Sequence, residues 1–187
     1  MRTEIHVHGY LELVEGVSRR QVAHALRPLL DDLELDQLNA IKSLEPDQPG
    51  FHFDDRNWTL DICCTLEAGP HFVATLEAAM HALGPLVENA APIEISTYHE
   101  DGRDEFQLLF VGPTPAAILE AQRREMLADI EDLLARQFNP QAVNEVLTLV
   151  DRLFRAPANM LSASQAPHGN EDLPITMPSP PGRRRLH

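Results

Sequence analysis

The sequence predicts an α+β fold built around one antiparallel sheet. Segments with apolar residues at every second position alternate with segments whose apolar residues recur every three or four positions. These two periods are typical of half-buried strands and amphipathic helices. The segments follow the order βαββαβ and are followed by one more strand and two more helices. A chain of this order is expected to form a sheet with strand order 5-4-1-3-2 and the first two helices on one face.

Two long strands are expected at the centre of the sheet. Residues 4–13 alternate between an apolar and a polar face, and residues 58–66 do the same. Gly9 lies on the apolar face of the first strand, where we expect a helix to approach closely. A less regular strand is predicted over residues 38–44, and its pairing is expected to resume at residues 51–53 after a break that contains proline and glycine.

The first two helices have recognisable start and stop signals. The first is expected to begin at Ser18, which forms a capping-box pattern with Gln21. Pro28 lies inside the apolar stripe of this helix and predicts a kink or a break just before it. The second helix is expected to follow Gly69–Pro70, because proline is well tolerated in a first turn. Gly84–Pro85 should distort its last turn.

The fourth and fifth strands predict a β-hairpin. Residues 92–99 and 104–111 flank Asp101–Gly102, and a two-residue Asp-Gly loop would set the register. The core face would then hold the cross-strand pairs Ile93 with Phe110, Ile95 with Leu108, and Thr97 with Phe106. In this register Leu109 and Val111 lie on the opposite face. The charged side chains beside the turn are interpreted as a solvated surface.

Two further helices and a tail are expected after the sheet. The link between the helices is short, so they should pack as an antiparallel hairpin. We interpret residues 1–157 as one domain, with a βαββαββ sandwich over 1–112 and the helical hairpin over 113–157. Residues 158–187 are rich in proline, have few apolar residues and predict a disordered tail. By topology the sandwich resembles the ferredoxin-like fold, which hosts many unrelated functions.

Composition and charge argue against several classes of function and favour one cellular compartment. The net charge of −14 repels phosphate backbones and argues against direct nucleic-acid binding. No stretch approaches the roughly 20 apolar residues of a membrane span, and the N-terminus lacks the apolar core of a secretory signal. Cys63 and Cys64 are adjacent and would face opposite sides of a strand, which favours free thiols in a reducing compartment. We therefore expect a cytoplasmic protein.

The strand alternation brings polar side chains together on the sheet face that points away from the first two helices. The candidate ligand-binding residues on this face are His6, His8, Tyr10, Asp61, Cys63 and Glu94. Imidazole, thiolate and carboxylate groups bind zinc and related divalent ions. The candidate metal ligands are accordingly His6, His8, Cys63 and Asp61. The alternative interpretation is an ordinary polar surface that faces solvent or another subunit.

The same face and the last helix also predict an interface. The sheet face is mixed in polarity, and the apolar stripe of the last helix is wide enough to need a partner. We therefore expect a homodimer that uses this face, the helical hairpin or both. The candidate interface residues are Tyr98, Leu109, Val111, Val143, Val146, Leu147, Val150 and Phe154.

No catalytic motif is present in the sequence. It contains no GxSxG, no HExxH, no P-loop and no GxGxxG after a strand. The sequence therefore favours a non-enzymatic interaction or regulatory module that acts as a dimer, needs no cofactor and binds a protein partner. One alternative is a metal- or small-ligand-binding protein that uses the polar sheet face and takes a divalent metal. Another is an acidic nucleic-acid mimic that binds a basic protein.

Overall fold

Five strands and five α-helices make up the part of the chain that the computed structural model describes, residues 3–99 and 101–156. The strands are β1 (Thr3–Glu12), β2 (Gly50–Asp54), β3 (Thr59–Ala68), β4 (Ala91–Tyr98) and β5 (Glu105–Val111). The helices are α1 (Arg19–Ala25), α2 (Arg27–Asp32), α3 (Phe72–Leu83), α4 (Pro115–Ala135) and α5 (Pro140–Arg155). The predicted disordered tail, 158–187, lies outside the described residues.

The five strands form one antiparallel sheet with the order β2-β3-β1-β4-β5. This is the predicted order read from its other edge, so the prediction of a mixed α+β fold with this sheet is confirmed. β1 lies at the centre and pairs with β3 on one side and with β4 on the other. Residues of these three strands therefore share each face of the sheet.

The hydrophobic core lies between one sheet face and the helices α1, α2 and α3. Alternate residues of the central strands are fully buried there, and each buried aliphatic side chain contributes about 1.5–3 kcal/mol of transfer free energy. The core includes Val7, Leu11, Leu60, Ile62, Ile95, Leu26, Leu29, Leu76 and Met80. Gly9 also points to this side, but a side chain of the neighbouring strand fills the space above it. A Cβ atom at Gly9 would lie 2.3 Å from Cδ1 of Ile93, so the expected approach of a helix was wrong.

Pro28 divides the first predicted helix into two. α1 begins after Ser18, whose side chain forms the predicted capping box with Gln21, and it ends at Ala25. Pro28 then occupies the first turn of α2, where its missing N–H leaves no helical hydrogen bond unmade. The second predicted helix, α3, ends at Leu83 and passes into a 3-10 turn over Gly84–Leu86. Both expected distortions are confirmed.

The prediction of a strand over residues 38–44 was wrong. Residues Leu38–Ala40 form a 3-10 turn, and the second strand is the later segment Gly50–Asp54. Leu38 and Ile41 are both buried, and their spacing of three residues matches a helical turn rather than a strand. Only the expected resumption of pairing at 51–53 is part of the observed strand.

The predicted register of the β4–β5 hairpin was wrong by one residue. Ile93 pairs with Leu109, Ile95 with Gln107 and Thr97 with Glu105. The strands end at Tyr98 and resume at Glu105, so the connection is longer than the assumed two-residue loop. Inside it, the Asp101 carboxylate accepts hydrogen bonds from the backbone N–H and the guanidinium group of Arg103.

This register exchanges the two faces of β5, because a shift of one residue turns every side chain over. Leu109 and Val111 point to the helix side, where Val111 is buried and Leu109 packs against the core. Their placement on the open face, and with it their expected part in an interface there, is corrected. The open face instead receives Phe106, Leu108 and Phe110.

The last two helices pack against each other, and α4 also contacts β4 and β5. Both start with a side-chain cap and a proline in the first turn: Thr114 caps α4, and Asn139 caps α5. Arg123 of α4 lies between Glu120 on its own helix and Asp151 on α5. This ion pair joins the first half of α4 to the second half of α5.

Candidate functional site

The sheet face opposite the core, hereafter the open face, carries all six candidate ligand-binding residues on three neighbouring strands. On β1 and β3, His8 lies opposite Cys63, and Tyr10 lies opposite Asp61. On the other side of β1, His8 lies opposite Glu94 of β4. His6 is the next residue on this face of β1. The structure therefore brings the predicted set to one surface, and its role in binding stays a prediction.

A chain of hydrogen bonds fixes His6 on the open face. Nδ1 of His6 lies 3.0 Å from Oγ1 of Thr65, and the Thr65 hydroxyl donates to Oε1 of Gln48 at 3.0 Å. The Ser43 hydroxyl donates to the same oxygen at 2.5 Å and accepts the Thr65 backbone N–H at 2.8 Å. Since the Thr65 proton is directed to Gln48, Nδ1 of His6 is the donor to Thr65, and in the neutral ring Nε2 is then the acceptor.

Sequence reasoning did not identify the contacts that Ser43 and Gln48 make with Thr65 on this face. Thr65 is a buried polar residue, 5% exposed, and its alternation in β3 places it on the open face. Ser43 and Gln48 lie in the segment between the 3-10 turn and β2. No periodic signal marks them, because only the folded path of that segment brings them over Thr65.

The two strand histidines lie parallel to each other. The ring centroids of His6 and His8 are 6.4 Å apart, and the ring planes differ by 9°. Within the described residues, no group of three or more His, Cys, Asp or Glu side chains is arranged to hold a metal ion. The predicted metal ligands His6, His8, Cys63 and Asp61 thus share a face without forming such a group.

The two cysteines are free thiols in different surroundings. Burial raises the pKa of the half-buried Cys63, and the carboxylates of Asp61 and Asp47 raise it further. Burial raises the pKa of Cys64 to about 12, and this side chain is part of the core. Both thiols therefore stay protonated at neutral pH, which makes them weak nucleophiles and weak metal ligands.

The candidate interface residues fall into two groups. Tyr98 lies on the open face, where 42% of it is exposed, and Phe106 is an exposed neighbour that the predicted register had placed in the core. On α5, Val143 is buried and Val146 is exposed. The remaining three are half-buried: Leu147, Val150 and Phe154.

Comparison with known proteins assigns the chain to a family. No helix in the described part is both long and apolar enough to cross a bilayer. No curated protein and no solved structure matches the chain. One family matches it over residues 3–155, which includes the sheet and all five α-helices. The chain therefore belongs to DUF6806, a family of unknown function.

Proposed function

We propose that this protein is a non-enzymatic interaction module that forms a homodimer through the helical hairpin of α4 and α5. The observation that carries the proposal is how little the hairpin buries. Among the described residues of these two helices, Ala121 in α4 and Val143 in α5 are the buried ones. Two helices of 21 and 16 residues ordinarily need more apolar contact than this to stay in place.

Each helix leaves apolar side chains in solvent on one side, and we refer to these residues as the hairpin strips. Val146, Leu149 and Leu153 follow one another by three and four residues on α5, and Leu119 and Leu133 are four turns apart on α4. Their exposure ranges from 40% to 64%. Removing a leucine from water contributes about 1.5–3 kcal/mol, so covering these strips would stabilise a complex substantially.

The charges along the hairpin favour a second copy as the partner. The free end of α4 carries Asp129, Glu131 and Asp132, whereas the last turn of α5 carries Arg152 and Arg155. The Arg123–Asp151 pair places the second half of α5 beside the first half of α4. Two hairpins related by a two-fold axis and packed antiparallel would bring the acidic end of one onto the basic end of the other. Closed two-fold dimers are the commonest homo-oligomers.

The test is the dimer dissociation constant of Leu149→Gln/Leu153→Gln, measured on the full-length chain by sedimentation at increasing concentration. Each side chain occurs twice in a two-fold dimer, and a buried interface leucine contributes about 1 kcal/mol or more. We expect the dissociation constant to rise about a thousandfold, which corresponds to about 4 kcal/mol. Far-UV circular dichroism should be unchanged, because both positions are exposed.

Leu44→Gln is the matched control, because Leu44 is also an exposed leucine, at 57%, and lies outside the hairpin. It should leave the dimer intact. A wild-type protein that stays monomeric at 100 µM would refute the proposal, and so would a double variant that dimerises as well as the control.

A second candidate function is ligand or divalent-metal binding at the open face. It is favoured by the hydrogen-bond chain from Ser43 to His6, which orients the imidazole and leaves Nε2 as an acceptor. We expect His6→Ala/His8→Ala to take up less Zn²⁺ than wild type under equal loading, measured by elemental analysis after desalting. His24→Ala, at an exposed position on α1, is the control. Equal zinc content in all three proteins would remove this candidate.

For the fold, we propose that β1 to β4 with α1, α2 and α3 form a ferredoxin-like unit to which β5 adds an edge. The observed strand order and the placement of these helices against one sheet face support this classification.

A further inference from the structure

A cleft opens on the helix side of the sheet, at the end of the β4–β5 hairpin. It lies between the first turn of α3 and the ends of β1, β4 and β5, and it encloses about 730 Å³. Its lining includes Ile5 of β1, Ile95 of β4, Pro70 and Val73 at the start of α3, and His99 and Glu105 of the β4–β5 hairpin. The volume falls within the roughly 300–1,000 Å³ that small-molecule sites occupy.

The register of β5 creates this cleft. Leu109 and Val111 seal the far end of the hairpin against the core, but nearer the turn the same face carries the polar residues Glu105 and Gln107. In the register expected from the sequence, Phe106 would have occupied this face. Gln107 instead extends across to α3 and donates a hydrogen bond from Nε2 to Oε1 of Glu77 at 2.5 Å. This bond ties β5 to α3 beside the cleft.

His99 carries a polar atom that the described part of the chain leaves unsatisfied. Its Nε2 is buried and has no hydrogen-bond partner there, although the residue itself is only half-buried. Oε1 of Glu105 lies 3.7 Å from this nitrogen, which is too far for a hydrogen bond. A buried polar atom without a partner costs free energy, and unpaired groups of this kind often mark a site for a missing ligand or ion.

The charges at the mouth select a cation. The Glu105 carboxylate accepts hydrogen bonds, and an imidazole ring accepts one at the nitrogen that carries no proton. The residues that line the cleft in the described part of the chain include no lysine and no arginine. The net charge of −14 also raises the local concentration of cations and lowers that of anions.

We propose that this cleft binds a small aliphatic amine in its ammonium form. The ammonium group would lie between His99 Nε2 and the Glu105 carboxylate and donate to both, which gives the unpaired imidazole nitrogen a partner. The hydrocarbon chain would lie along Pro70 and Val73, the apolar lining residues at the start of α3 that are not fully buried. This site is separate from the hairpin strips and from the open face, so it does not depend on the function proposed above.

The experiment is an isothermal titration of the full-length protein with hexylammonium chloride. We expect saturable binding by wild type and at least tenfold weaker binding by Glu105→Gln. Glu105 is an exposed side chain on an edge strand, so its amide variant should fold normally. Glu15→Gln is the matched control: it removes the same charge from an exposed position in the turn after β1, at the other end of that strand from the cleft, and should bind as wild type does.

Two related probes test the ligand chemistry. Hexanoate has a similar chain but the opposite charge, and hexanol has no charge, so each should bind at least tenfold more weakly than hexylammonium. The proposal is overturned if wild type shows no saturable heat with 10 mM hexylammonium, if hexanoate binds equally well, or if Glu105→Gln and Glu15→Gln bind alike.

Discussion

Replacing Gly50 with alanine is expected to lower the free energy of unfolding by at least about 3 kcal/mol. Gly50 starts β2 with a φ of +78°, and an L-residue in this region costs about 1–2 kcal/mol. A Cβ atom there would lie 2.1 Å from the backbone oxygen of Ile41. This oxygen belongs to a buried segment, so the backbone itself has to move to relieve the overlap. The measurement is urea unfolding followed by circular dichroism, with the m-value compared between variants.

Gly16→Ala separates the two causes of this loss. Gly16 has a similar φ of +87°, but no atom lies within 4 Å of the position its Cβ would take. This control should lose only the conformational part, about 1 kcal/mol. In thermal unfolding, the Gly50 variant should melt about 6–12 °C below wild type. Equal losses in the two variants would show that contact with Ile41 has no energetic role.

Replacing Phe72 with alanine is expected to cost about 3–5 kcal/mol. Phe72 is the first residue of α3 and is fully buried. It lies one turn from the buried Leu76, on the same stripe of the helix. Alanine would leave a cavity under α3, and a packed interior closes such a cavity only in part. The lost transfer free energy of the ring and the lost packing around the cavity therefore both lower the free energy of unfolding.

Val73→Ala is the control for Phe72→Ala, because it changes the next residue of the same helix at a half-buried position. It should cost about 1 kcal/mol or less, since fewer buried atoms are removed and alanine has the better helix propensity. Both variants are compared with wild type by urea unfolding. A Phe72→Ala variant that loses no more than Val73→Ala would contradict the assigned place of Phe72 in the core.

Local periodicity predicted β1, β3, β4 and β5, and the strand order followed from the topology that a βαββαβ chain usually adopts. One face of β1 and of β3 is buried. Because successive side chains of a strand point to opposite faces, the face of each residue can be assigned from the sequence. The same reasoning placed His6, His8, Tyr10, Asp61, Cys63 and Glu94 on one surface. Pro28 and Gly84–Pro85 act through the backbone of their own helices, so their effects were also predictable from the sequence.

Features that depend on contacts between segments far apart in the chain could not be predicted from the sequence. Whether Leu38 and Ile41 start a strand or a 3-10 turn is decided by what lies beneath them in the core. The register of β4 and β5 depends on the conformation of the whole connection, and Asp101–Gly102 alone suggested a tighter turn than the one that forms. That single residue of shift decides whether Phe106 or Glu105 lies beside His99.

The sequence by itself determined which residues alternate, where helices break and in which order the strands can pair, because these properties depend on local backbone geometry and on burial of one face. Only the tertiary structure decided that Gln48 and Ser43 hold His6 through Thr65, that the cleft at His99 is open, and that the hairpin strips are left exposed. Each of these depends on distances between atoms of segments far apart in the chain, and those distances are set only when the whole core packs.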